Sequence, residues 1–403
     1  MSTQTPHRTG QSILRGPVIA FLSVAAALGT SSIYPLQPGI ANVAHDLHTS
    51  VGSLGIALAC GPVGYLIGLA VLVPLVDQFR PSRILGIQFG ALSLLLALSA
   101  AVPQVFLLRF MIGLIGLCSS VGAGLSSIAG RLAPPARRAT VLGIVTAGIS
   151  VGILGGRILG GWLTDSLGWR AMLLVFAGAC ALAAICCLTL IPGTASQPRS
   201  SLFSRLRSVP VLLAQEARLR VAAIRGALWF FAFGTIWSGL AVALSQPPFS
   251  FSAEHIGLYA LAGLSGLVAT QLAGWMTDRS GARTVILVGL VLAAGSCLVL
   301  GWGLASAPVA LVCLALFDAG LFAAQVANQS TVLAIDPEAP ARFNSAYMVV
   351  YFVGGSLGTG FGAAAVGWIG WTGTVLVAVA AIAAAAAITG LSRTGARRRR
   401  LAA

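Results

Sequence analysis

Long apolar runs separated by short polar breaks dominate the chain. A helix that crosses a bilayer needs about 20 mostly apolar residues, and twelve runs approach or exceed that length. They lie near residues 17–38, 51–76, 84–102, 105–130, 139–163, 171–191, 221–245, 255–276, 284–304, 308–333, 344–366 and 372–391. Transmembrane strands are shorter and alternate in polarity, which these runs do not. The pattern therefore predicts an all-α membrane protein with twelve transmembrane helices.

The composition supports a membrane location. Hydrophobic residues make up 57% of the chain and charged residues 8%, proportions that exclude an ordinary soluble domain. The net charge of +15 is the difference between 24 basic residues, all of them arginine, and nine acidic residues. If the N-terminus is cytoplasmic, all but Arg109, Arg157 and Arg170 fall in cytoplasmic segments, as the positive-inside rule requires. We therefore predict a multi-pass inner-membrane protein with both termini in the cytoplasm.

A pattern of glycines is duplicated along the chain. Four glycines at four-residue steps begin at Gly148, and three of them recur, half a chain later, from Gly354 to Gly362. Small residues at this spacing let membrane helices approach each other closely. The longest polar break, residues 192–220, separates the copies and includes a possible amphipathic stretch. We predict an N-terminal six-helix half (1–191), a cytoplasmic linker (192–220), and a pseudo-symmetric C-terminal half with a basic tail (221–403).

Two charged loops occupy matching positions in the two halves, each after an apolar run. Their charged members are Asp77, Arg80, Arg83, Asp278, Arg279 and Arg283. A carboxylate there can accept hydrogen bonds from the backbone amides at a helix N-terminus and can form ion pairs with arginines. The duplication favours a gate that closes the cytoplasmic mouth in one conformation. The alternative is a solvated charge that only fixes topology.

These loops resemble the loop signature of the major facilitator superfamily, well kept in 274–281 and degraded in 73–80. Residues 28–38 resemble the first-helix motif of the twelve-helix drug:proton antiporter branch, and Arg109 with Gly113 resembles its fourth-helix motif. The resemblance covers essentially the whole chain. It implies two six-helix halves around a central cavity that is exposed alternately to each side of the membrane.

The fifth predicted helix departs from that branch. Its signature has Gly-Pro where this chain has Gly156 followed by Arg157. A guanidinium inside a membrane usually faces a cavity, a partner or an anion, although Arg157 could instead snorkel to the membrane surface.

Arg109, in the fourth predicted helix, is expected to act with Asp318 in proton coupling. Its alternative role is a structural hydrogen bond.

Asp318 is the acidic residue placed deepest in an apolar run. Its position near the middle of the tenth run puts it close to the membrane midplane, where a carboxyl group can carry a proton. The alternative is a neutral group that ties helices together. Four polar residues are predicted to contact substrate together with Arg157. For the first two in the chain, the alternative is that the neighbouring prolines only kink the helix; for the last two, it is hydrogen bonding between helices. These four residues are Tyr34, Gln37, Gln325 and Asn328.

Residues 161–168 imitate the loop signature on the opposite side of the membrane. Because a cytoplasmic gate requires the cytoplasmic side of the membrane, we interpret this segment as the end of the fifth helix at the membrane–water interface.

We predict a secondary transporter, not an enzyme, that exports a small anionic or zwitterionic molecule in exchange for protons. Proton-coupled uptake, or exchange of sugars or metabolites, is the alternative within this class. A sensor or assembly factor without transport is the alternative outside it. The expected partners are a small-molecule substrate, protons and membrane lipids, including anionic lipids at Arg397–Arg400. We expect a monomer with no cofactor, no metal and no nucleic-acid partner.

Overall fold

The computed structural model describes residues 16–134, 137–191, 202–336 and 340–401, which are almost entirely helical. The helices are α1 (Gly16–Ser31), α2 (Ile40–Asp46), α3 (Val51–Gln78), α4 (Pro81–Ala100), α5 (Val105–Ser119), α6 (Val121–Leu132), α7 (Arg138–Leu167), α8 (Trp169–Leu190), α9 (Leu202–Gln215), α10 (Ala217–Ser245), α11 (Ala253–Leu258), α12 (Leu264–Ser280), α13 (Ala282–Gly303), α14 (Ala307–Leu333) and α15 (Pro340–Leu401).

Ten helical stretches in the described residues are long and apolar enough to cross a membrane. Helices α5 and α6 form one of them, and α11 joins α12 through a 3₁₀ turn, Tyr259–Gly263, to form another. Helix α15 contains two crossings, because Gly370 interrupts it with φ 71° and ψ 174°. That positive φ favours glycine, which has no Cβ. With the shorter apolar helix α1, the described chain accounts for the twelve predicted crossings.

The glycine repeat forms one close helix contact in each half. In α7, the predicted glycines lie against the backbone of α1 and of the turn that follows it, and a Cβ at Gly152 would overlap Ala27. In α15, the equivalent glycines lie against α10, and a Cβ at Gly358 would overlap Phe231. The duplicated sequence pattern therefore produces the same kind of contact twice. We refer to residues 16–191 as the N-terminal half and to 217–401 as the C-terminal half.

The two halves meet along α3 with α15 and along α7 with α11. Gly55 of α3 packs on Ala363 of α15, and Gly161 of α7 packs on Ala253 of α11. Following the arginine distribution, we call the membrane face near Gly168 and Gly370 the periplasmic face. These inter-half contacts lie toward that face, so the halves are closed there.

Several predictions fall partly or wholly outside the described residues. The arginines of the N-terminal tail precede residue 16, and the side chains of Arg397–Arg400 are not described, so the predicted lipid contact remains a prediction. Helix α9 lies inside the predicted linker and corresponds to its expected amphipathic stretch. The division into 1–191, 192–220 and 221–403 also remains a prediction.

Candidate functional site

Arg157 lies inside the protein, between the two halves. Its side chain is only 4% exposed, and its Nε donates a hydrogen bond of 2.9 Å to Oε1 of Gln37. The guanidinium carbon lies 4.4 Å from the ring centre of Trp237 and 5.0 Å from that of Tyr34. Aromatic faces attract a cation in this arrangement. The snorkelling alternative for Arg157 is therefore not what the structure shows.

Asp318 is buried at the N–H edge of the same indole. Its side chain is 2% exposed, and Nε1 of Trp237 donates a hydrogen bond of 3.1 Å to its Oδ1. Arg157 and Asp318 do not form a salt bridge with each other. The ring of Trp237 contacts Arg157 through its face and Asp318 through its N–H.

Two small cavities adjoin these residues. One is lined by Arg157 and Asp318 together with apolar side chains that include Phe233 and Phe322. The other is lined by Tyr34, Gln37, Arg157 and Trp237, among others. Arg157 is thus common to both cavities. The structure brings together Tyr34, Gln37, Arg157 and Asp318 of the predicted site.

Arg109 does not join this group. It lies near Cys60 of α3 and lines neither of the two cavities. Its buried Nε has no hydrogen-bond partner among the described residues. The expected electrostatic partnership between Arg109 and Asp318 is therefore not formed in this structure, because Arg109 faces α3 within its own half.

Gln325 and Asn328 also lie away from the two cavities, in a polar network within the C-terminal half. Arg225 of α10 donates from Nε to Oδ1 of Asn328 at 2.8 Å, and Asn328 donates to the carbonyl oxygen of Ala222 at 3.0 Å. The hydroxyl of Tyr347 donates to Oε1 of Gln325 at 2.6 Å. These contacts match the alternative of helix-to-helix hydrogen bonding and not the predicted cavity wall.

This role of Arg225 was not predicted from the sequence. The arginine distribution counts Arg225 among the cytoplasmic arginines next to the linker, whereas the structure buries the residue, with 7% of its surface exposed. The available signal was its position inside the seventh apolar run. Trp237 and Phe233 were not predicted either, because an aromatic residue in an apolar run does not show on which face of the helix it lies.

The predicted cytoplasmic gate is not assembled in this conformation. Arg80, Arg83 and Asp278 are exposed, and Arg279 stacks on Trp275 at 4.4 Å. Nη2 of Arg283 donates to the carbonyl oxygen of Gly390 at 2.8 Å. No hydrogen bond or ion pair joins these described side chains across the two loops. Asp77 ends α3, but its side chain lies outside the described residues.

A different carboxylate bridges the halves at the periplasmic face. Asp165, in the last turn of α7, accepts hydrogen bonds from the backbone N–H groups of Ala253 at 3.2 Å and Glu254 at 2.7 Å. These amides begin α11, where the helix dipole favours a negative charge. We call these three residues the periplasmic latch. From the sequence, Asp165 was interpreted only as part of a helix end, because its hydrogen-bond partners lie far away in the chain.

Comparison with known proteins agrees with this architecture. The sequence matches the family model of the Major Facilitator Superfamily over residues 19–358. The chain belongs to this superfamily. It is therefore a multi-pass secondary transporter and not an enzyme, and the predicted all-α fold is confirmed.

Individual members of the superfamily extend the comparison. The uncharacterized transporter YgaY of Escherichia coli is 31% identical over 352 residues, which are 86% of this chain and 88% of YgaY. The probable transporter SCO4007 of Streptomyces coelicolor is 30% identical, over 91% of this chain and 86% of that protein. A crystal structure of a bacterial homologue of the human lysosomal transporter Spinster has a TM-score of 0.75 at 15% identity, covering 95% of this chain and 97% of that chain.

Proposed function

We propose that this member of the superfamily uses protons to drive transport of a small anionic or zwitterionic molecule across the bacterial inner membrane. The observation that carries the proposal is the indole of Trp237, which stacks on Arg157 and donates to Asp318. A cation and a titratable carboxyl group thus share one buried site between the halves. Alternating access exposes such a site to each side of the membrane in turn.

Arg157 supplies the anion-binding group. Among the described residues, no carboxylate lies within salt-bridge distance of it, and Nη1 and Nη2 make no hydrogen bond. Gln37 and the aromatic rings hold the guanidinium in place. Carboxylate and phosphate groups fit its paired N–H donors well. A solute that carries such a group would neutralise a buried charge.

Asp318 supplies the proton-carrying group. Among the acidic side chains that the structure describes, that of Asp318 is the one that is buried. Acidic groups inside membrane proteins commonly mark proton pathways. Its location beside Arg157 means that its protonation changes the net charge of the site to which the solute binds.

The first test is ligand screening followed by transport. Purified protein is screened for thermal stabilisation by metabolites and drugs, because a ligand stabilises the state it binds. A compound that stabilises the protein is then followed in proteoliposomes with an imposed pH gradient. We expect pH-driven flux in the wild type and its collapse in Asp318→Asn, which preserves shape but cannot release a proton.

The control is Asp336→Asn, which changes a carboxylate beyond the end of α14, far from the site. It should transport as the wild type does. Wild-type flux with unchanged pH dependence in Asp318→Asn would show that this residue is not the coupling group. Binding without any flux would favour the alternative of a non-transporting sensor.

A further inference from the structure

The buried site around Arg157, Trp237 and Asp318 holds one cation, Arg157, which can interact with two anions: the carboxylate of Asp318 and the solute. Arg157 lines both cavities, and the carboxyl group of Asp318 lines one of them. When Asp318 is ionised, its charge partly neutralises Arg157 across the indole. A solute anion at Arg157 would then meet a second negative charge in a site from which water is largely excluded, where like charges repel strongly. When Asp318 is protonated, that repulsion is absent and the cation is left for the solute.

No other described charge is placed to reverse this relationship. The further side chains that line the cavity of Asp318 come from α7, α10, α12 and α14 and are uncharged and non-titratable. The ring of Tyr34 lies 5.0 Å from the guanidinium carbon of Arg157 and lines the second cavity, not that of Asp318. Helices α13 and α15, which also pack on α14, contribute Cys297 near Cys313 and Tyr347 bonded to Gln325. Among the described residues, Arg157 is therefore the charged group that acts electrostatically on Asp318.

We infer that a proton on Asp318 and a solute anion at Arg157 bind together, so that the protein cotransports the two. This inference rests on the proposed function and adds the sign of the coupling. Coupling between two ligands is reciprocal: if protonation of Asp318 favours the anion, the bound anion favours the proton to the same extent. Exchange requires the opposite, namely that each ligand displaces the other.

The walls of the site define the rest of the solute. Around Arg157 and Asp318 they are apolar or aromatic, with Leu154, Phe233 and Phe322 prominent. The second cavity adds Ile33 and Phe230. Such walls suit an apolar or aromatic body that carries a single anionic group. Under an inward proton gradient, cotransport would import this acid, whereas the antiporter resemblance of the sequence predicts export.

The test measures protons during binding. Benzoate, benzamide and benzylamine present the same ring with negative, neutral and positive substituents, and a naphthyl series with the same three groups adds a larger body. Each compound is added to purified protein in weakly buffered detergent solution that contains a pH indicator. We expect the acids to bind, and each bound acid to be accompanied by uptake of up to one proton. Their apparent affinity should fall by up to about tenfold per unit rise in pH while the carboxylate stays ionised.

Asp318→Asn resembles the protonated residue. It should bind the acids without proton uptake and without this pH dependence, and Asp336→Asn should match the wild type. The pH dependence of wild-type affinity is measured without any variant, so the test does not depend on the folding of Asp318→Asn.

The possible failures separate the two proposals. Proton release on acid binding overturns cotransport but leaves proton-coupled anion transport standing. Acid binding without proton movement at any pH tested, and with an affinity that does not vary with pH, overturns proton coupling itself. Binding of the amines alone, or of none of the acids, overturns the anion site at Arg157 and with it both proposals.

Discussion

The carboxylate of Asp165 accepts a hydrogen bond of 2.7 Å from the backbone N–H of Glu254, and the two residues belong to opposite halves of the transporter. The bond joins the end of α7 to the start of α11 at the periplasmic face. Just below it, Gly161 packs on Ala253 and Gly257 packs on the backbone at Arg157. The periplasmic latch is therefore coupled through a close backbone contact to the residue that we assign to solute binding.

Loss of the latch charge should weaken closure of the periplasmic face. Asp165→Asn removes the negative charge beside the start of α11, an interaction worth about 1 kcal/mol, or roughly fivefold in the open-to-closed equilibrium. In a cysteine-free background, Ile33→Cys, which lines the second cavity, reports this opening. We expect a membrane-impermeant thiol reagent, added from the periplasmic side, to label it several-fold faster in Asp165→Asn.

Glu254→Gln provides the matched control. It removes an exposed carboxylate at the same mouth but keeps the backbone N–H that Asp165 accepts. In Glu254→Gln, the cysteine of Ile33→Cys should be labelled at the same rate as in the protein with an intact latch. Equal acceleration in both variants would assign the effect to general surface charge, and no acceleration in Asp165→Asn would contradict a latch.

Substitution of Arg157 should change which solutes compete for transport. Arg157→Gln keeps polar volume but removes the cation, and a charge-assisted hydrogen bond contributes about 1.5–3 kcal/mol. We expect the affinity for anionic competitors to fall by about tenfold to a hundredfold, with little change for neutral ones. Arg157→Lys should retain part of the affinity, because it keeps the charge without the planar paired donors.

The measurement is inhibition of transport by matched anionic, neutral and cationic compounds. Arg218→Gln, at an exposed arginine near the start of α10, is the control for loss of positive charge. If all three classes inhibit wild type and Arg157→Gln equally, Arg157 does not select the solute.

The Arg225–Asn328 pair should act on stability and not on solute choice. Asn328→Ala leaves the buried guanidinium without the amide oxygen to which it donates, at a cost of about 1.5–3 kcal/mol. Arg225→Met with Asn328→Ala removes the charge together with its partner. We therefore expect the double variant to unfold at a higher temperature than Asn328→Ala alone, measured by thermal denaturation in detergent.

Transport by each of these variants, corrected for folded protein, should keep the wild-type order of competitors. A double variant less stable than Asn328→Ala would mean that the guanidinium stabilises the fold through its other contacts, among them the hydroxyl of Thr389.

Two glycines of α7 should respond in opposite ways to the same substitution. A Cβ at Gly152 would overlap the backbone of α1, whereas a Cβ at Gly143 meets no atom within 4 Å. We expect Gly152→Ala to lower stability by about 1–3 kcal/mol through overpacking. Gly143→Ala should be neutral or stabilising by up to about 1 kcal/mol, because alanine favours helix. Equal effects in a thermal unfolding assay would mean that the α1–α7 contact relaxes freely.

The sequence alone determined the membrane crossings and identified Asp318. The hydrocarbon thickness of a bilayer sets a minimum length for an apolar helix, so the runs could be recognised without any tertiary information. Few acidic residues occur in such runs, so the depth of Asp318 was visible from its position. The glycine repeat also predicted close contacts, because a small side chain at four-residue spacing permits close approach whichever helix lies opposite.

Only the tertiary structure decided which side chains meet. A membrane helix is apolar on its lipid-facing side and on its core-facing side alike, so hydrophobicity does not show which residues point into the bundle. Trp237 therefore could not be placed between Arg157 and Asp318, and Arg225 could not be separated from the linker arginines. Asp165 bridges the halves because α7 and α11, which are distant in the chain, converge at the periplasmic face. These contacts depend on helix rotation and packing, which no local pattern in this chain encodes.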